Sequence, residues 1–167
     1  MKINSIVKFA IFGVILFASC KKDEVTTEEE PIAVLEIKAG SSTFIWSDTD
    51  GAGGVAPKID TIRLKPNATE TFTISVRDAA AKNLTDEIVT EKDEHLFIFK
   101  PSGNLTVSDL SKDSKGKDFG QAATLKTTAA GAATLQVILK HEPDKSAADP
   151  SKTGETDIDV VFPVVIK

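Results

Sequence analysis

The chain has 167 residues, 41% of them hydrophobic and 27% charged, which is the make-up of a folded domain and speaks against disorder throughout. Its 25 acidic residues outweigh 20 basic ones, a formal charge of −5, and this disfavours a nucleic-acid partner, whose phosphates need a basic surface. A single cysteine, Cys20, leaves nothing for an internal disulfide.

Met1–Ser19 carries Lys2 and Lys8, then the apolar run Phe9–Phe17, then Ala18 and Ser19 ahead of Cys20, the order of a charged region, an apolar region and a small-residue cleavage site. The segment resembles a bacterial lipoprotein signal, in which the cysteine is acylated (palmitate among the chains) and becomes the first residue. A secretory signal with a stray cysteine is the plainer alternative. The run is shorter than the about 20 apolar residues a spanning helix needs, so the expected anchor is lipid at Cys20. Cleavage removes two lysines and no acids, leaving 18 basic and 25 acidic residues. Lys21-Lys22-Asp23-Glu24 resembles the lysine-then-acid export signal of surface lipoproteins in Bacteroidota, which implies an outer-membrane protein displayed on the cell surface. Residues 20–31, acid-rich from Thr26 to Pro31, cannot bury apolar area and read as a disordered tether. The folded domain is expected over 32–167.

Within that domain Ile32–Lys38 and Ser42–Trp46 read as strands joined by a turn at Ala39-Gly40-Ser41. After a glycine-rich loop over 47–58, Ile59–Leu64 leads through Pro66-Asn67 into Thr71–Arg77, where Phe72, Ile74 and Val76 alternate with polar residues. Leu84, Ile88 and Val89 are spaced for one face of a short helix that Thr85 would cap. Four more strands follow over Glu94–Ser102, Asn104–Val107, Ala122–Thr128 and Ala132–Glu142. The last spans Thr156–Lys167, with Pro163 expected where its missing N–H is not needed.

About nine short alternating runs with frequent turn signals predict an all-β fold, an immunoglobulin-like antiparallel β-sandwich of about 7–9 strands. A closed barrel is the alternative. In an up-and-down walk the short links fall at one end and the long ones (47–58, 78–93, 108–121, 142–155) at the other, so a rigid sheet would present its long loops together.

The two histidines give the sharpest chemical expectation. His95 opens one strand and His141 closes another, so antiparallel neighbours would bring both imidazoles to one end and one face. With a carboxylate from Asp93, Glu94, Glu142 or Asp144 they would offer three N/O ligands suited to zinc or copper. The plainer reading is a pair that closes the sheet by bonding loop carbonyls. Asp48-Thr49-Asp50-Gly51 resembles the start of a calcium loop, but the next carboxylate, Asp60, falls at position 13 counted from Asp48, past the glutamate position of an EF-hand, and the flanks are strand-like. There is no tyrosine, no G-x-S-x-G elbow, no H-E-x-x-H and no phosphate-cradling loop, so a non-enzymatic protein without catalytic residues is expected.

The lipidated start, Asp48-x-Asp50-Gly51, Asp93-Glu94-His95-x-Phe97, Leu139-x-His141-x-Pro143 and Gly154-Glu155-Thr156-Asp157 ahead of Phe162-Pro163-Val164 together resemble small outer-membrane lipoproteins of Bacteroidota. Some members of that family are grouped with the type 1 periplasmic binding fold, which needs two α/β lobes and does not suit this chain. The resemblance implies a monomeric helper of a TonB-dependent receptor that captures a nutrient or metal. A structural or adhesive surface module is the alternative. Family members usually place glutamine after the second histidine; Glu142 stands there instead and adds a ligand or a negative charge.

Overall fold

Phe72, Ile74 and Val76 are buried while Thr71 and Thr73 beside them are exposed and Ser75 is half-buried, and this two-residue period is what makes Thr69–Arg77 a central strand with one face in the core. The computed structural model describes residues 32–51 and 54–167. The signal segment, Cys20 and the 20–31 tether lie outside the described residues. The strands are β1 (Val34–Ala39), β2 (Ser42–Ser47), β3 (Lys58–Ile59), β4 (Ile62–Leu64), β5 (Thr69–Arg77), β6 (His95–Pro101), β7 (Leu105–Ser108), β8 (Ala122–Thr127), β9 (Gly131–His141) and β10 (Glu155–Ile166), with one α-helix, α1 (Thr85–Thr90).

They form two sheets, β3-β2-β1-β5-β8-β7 and β4-β10-β9-β6, stacked as an all-β sandwich. The core lies between them, and Phe72 of one sheet meets Phe99 of the other edge-on at 5.2 Å. One pair departs from the antiparallel expectation: β4 runs parallel to β10, with Ile62 opposite Val164. The cause is local. Asp60 exchanges two bonds with Ile45, its N–H to the carbonyl and its carboxylate from the N–H, both at 2.9 Å. This holds the first half of the expected Ile59–Leu64 strand on β2, and the chain then crosses to the other sheet, giving two strands in place of one.

Counting β3 and β4 as a single pass, each strand reverses the direction of the one before, so connectors alternate between ends whatever sheet they join. Short turns gather at one end, where Asn67 donates to the Thr128 carbonyl at 3.0 Å and takes the left-handed φ of 55°. The segments 78–93, 108–121 and 142–155 gather at the other. There the Lys145 ammonium, in the third, bonds the Lys92 carbonyl of the first at 2.6 Å and the Asp113 carboxylate of the second at 2.9 Å.

Leu96, Phe97, Ile138 and Leu139 are all buried although they alternate between faces. The apolar runs of β6 and β9 are continuous because segment 142–155 folds over the outer face of their sheet. The Lys140 ammonium on that face donates to the Gly154 carbonyl (3.0 Å) and the Thr156 hydroxyl (2.8 Å). The free edge of β6 is blocked as well: Phe97 N–H donates to the Phe119 carbonyl at 2.8 Å, and Pro101 has no N–H to offer. Pro163 sits one residue before the β4 pairing begins, where β9 is the one neighbour of β10 among the described residues.

The helix forms where the spacing placed it, with Leu84 and Ile88 buried, but Val89 faces solvent. Thr85 is its first residue rather than its cap. Its hydroxyl accepts from Val76 N–H at 2.9 Å, which ties the helix to β5.

Candidate metal centre

The β6–β9 register sets His95 directly opposite His141. Their rings stack face to face, with centroids 4.8 Å apart and planes within 6°. Both stand on the side of the sheet that carries Phe97, Leu139 and Val137, at the long-loop end, as the strand parity requires. The first described residues lie there too: Ala33 N–H donates to the Arg77 carbonyl at 2.9 Å and its carbonyl accepts from Asp48 N–H at 2.8 Å.

The two imidazoles have different surroundings. His95 is 1% exposed, and its Nδ1 lies 3.2 Å from the Glu91 carbonyl at the end of α1. His141 is half-buried, and one of its ring nitrogens lies within 4.8 Å of carboxylate oxygens of Glu94 and Glu142, which are likewise within 4.8 Å of each other. A tetrahedral zinc with bonds of about 2.0–2.1 Å sets its ligands about 3.3 Å apart. Small rotations of two exposed glutamates would close the difference.

Backbone geometry holds the group together. Glu142 N–H donates to the Glu94 carbonyl at 2.6 Å, the last rung between the two strands, and Glu142 then takes a left-handed φ of 48°. Gly154, at φ +63°, lies so close above that rung that a Cβ there would come within 2.2 Å of the His141 carbonyl.

Of the expected ligands, the structure thus brings Glu94, His141 and Glu142 together. His95 does not join the converging atoms; it backs His141. Asp144 is turned into its own bend, its carboxylate accepting from Ser146 N–H at 2.9 Å. Asp93 caps the neighbouring loop by accepting from Ser114 N–H at 2.8 Å and from the Ser114 hydroxyl, and those bonds hold its carboxyl below the usual range. At the calcium-like loop, Asp48 accepts from Gly51 N–H at 3.1 Å and Asp50 from Val55 N–H at 2.7 Å. Both carboxylates shape their own turn, and the bond from Val55 lowers the pKa of Asp50. Two buried cations, Lys140 and Lys145, were not foreseen. Each depends on how segment 142–155 folds back, a contact no local pattern announces.

Burial, the largest influence, pushes the His95 pKa below its ordinary value of 6.5, outweighing the Glu91 carbonyl, and the neighbouring His141 adds to the lowering. An unfolded chain therefore binds this proton at a higher pH than the folded one. The stability from keeping His95 neutral is fully present above its unfolded pKa and is lost as pH falls towards the depressed folded value. Urea midpoints are expected to drop between about pH 7 and pH 5, and less steeply in His95→Phe. An equal drop in both proteins would assign it elsewhere.

No protein-family model matches the chain, and no curated protein sequence compared with it is similar. Among solved structures, the crystal structure of the S-layer protein SbsC domains 4 and 5 is similar over 84% of this chain and 73% of that one, with 14% identity and a TM-score of 0.32. A likeness that distant carries no argument about function. No helix of the described residues is long and apolar enough to cross a membrane.

Proposed function

We propose that the chain is a lipid-anchored, non-enzymatic binding protein of the outer membrane whose loop-rich end takes a divalent transition metal on Glu94, His141 and Glu142. One observation carries the metal reading: an imidazole nitrogen and two carboxylates converge within 4.8 Å at the rim of a rigid sheet. One nitrogen and two oxygens suit zinc or copper, and two negative charges match a dication. Three protein ligands leave a position for water or an incoming group, as capture and hand-over to a receptor would require. The anchor at Cys20 and a TonB-dependent receptor as recipient rest on the sequence resemblance. Tethering at the site's own end would hold the metal group close to the membrane.

Calorimetry of the folded domain with zinc tests this. A single site is expected in the wild type, lost in His141→Ala and weakened as pH falls and protons compete for the imidazole. Absence of uptake by the wild type, or unchanged uptake by His141→Ala, would overturn the metal reading and leave a structural or adhesive surface module.

A further inference from the structure

We propose that His95 is a positioning residue for His141: it fixes the ring plane of its neighbour so that one nitrogen faces Glu94 and Glu142, and does not itself bind the metal. This rests on the metal reading above and goes beyond it in dividing two histidines between two roles.

Three features carry the division. The ring planes are parallel within 6° at a centroid distance of 4.8 Å, so His141 lies flat on a surface that His95 provides. His95 cannot turn to join the ligands without giving up its burial, at 1% exposure, and the contact of its Nδ1 with the Glu91 carbonyl at 3.2 Å. The register makes the two residues directly opposed across β6 and β9, where side chains on a shared face run side by side, so the backbone itself sets the two rings next to each other. A metal sits in the plane of the imidazole that binds it, hence whatever fixes that plane fixes where the metal can sit. Glu94 is the chain neighbour of His95, so the residue that orients the nitrogen ligand also anchors the strand end bearing an oxygen ligand.

The test compares His95→Leu, which fills the buried space without a flat face, with His95→Phe, which restores the face but offers no nitrogen. Zinc affinity is expected to fall about tenfold or more in His95→Leu, the usual effect of removing a group that orients a ligand. In His95→Phe it is expected to stay within about threefold of wild type. If His95→Phe loses zinc as completely as His141→Ala, His95 is a ligand and the proposal is wrong. If His95→Leu binds like the wild type, it is wrong in the other direction. Proton NMR of the metal-free proteins gives a separate reading. His141 ring signals should show the shift of a proton held over an aromatic face in wild type and His95→Phe, and lose it in His95→Leu; no change in His95→Leu overturns the proposal. Should the wild type bind no zinc, the metal reading fails by itself, and the NMR comparison still decides whether His95 orients His141.

Discussion

Lys145→Met is expected to lower the free energy of unfolding by about 3 kcal/mol, and adding Asp113→Asn to it is expected to recover part of the loss. Side-chain exposure is 7% for Lys145 and 1% for Asp113, so each charge depends on the other. Removing the ammonium leaves a buried carboxylate whose remaining partners are the N–H groups of Lys115 (2.9 Å) and Lys117 (2.8 Å). The low end of the range for broken buried pairs applies because the pair lies just beneath the surface loops. Burial by itself would raise the Asp113 pKa, but the bond from Lys145 and the two amide bonds outweigh it and hold the carboxyl below its ordinary 3.8. Its contribution is therefore present above the unfolded pKa and lost as pH falls through the lowered folded value. Urea denaturation of the two single variants and the double variant forms the cycle. Asp113→Asn should destabilise the wild type yet be neutral or stabilising beside Lys145→Met. Costs that simply add would show that the two charges do not hold the three long segments together.

Phe162→Ala is expected to cost about 3–5 kcal/mol, the loss of a buried aromatic side chain plus the cavity it leaves. Phe162 has 0% exposure and sits midway along β10, opposite Leu135, also at 0%. Val161, one residue earlier, is 47% exposed on the other face, and Val161→Ala should change stability by no more than about 0.5 kcal/mol. Equal effects at 161 and 162 in the same denaturation experiment would mean that the face assignment of β10 is wrong.

The strand pattern was legible because its cause is local. Along β5 and β10 each buried side chain is followed by one that faces outward, and that alternation stands in the sequence. The separation of short and long connectors was legible for a related reason: strands that reverse at each turn sort their links by end before any sheet order is known. The histidine pairing followed from the same parity. The break at Asp60-Thr61 was not legible, because the Asp60 carboxylate acts through Ile45, on a strand already laid down. Val89 shows the limit of spacing alone: a helix of six residues has room for one buried face, and Leu84 and Ile88 fill it.

What the sequence determined by itself was a two-faced strand set with two histidines brought to one rim, since these depend on residue order and on the period of an extended backbone. Which histidine has a ring nitrogen near carboxylates, and which carboxylates stand beside it, was decided by tertiary structure. His95 is enclosed where α1 and the core meet, His141 stays at the rim, and the left-handed turn at Glu142 with Gly154 packed above it aims one carboxylate while Asp144 is drawn into a bend of its own. Burial and backbone direction at the end of a strand depend on what packs over it, and here that covering segment, 142–155, arrives from beyond the second histidine.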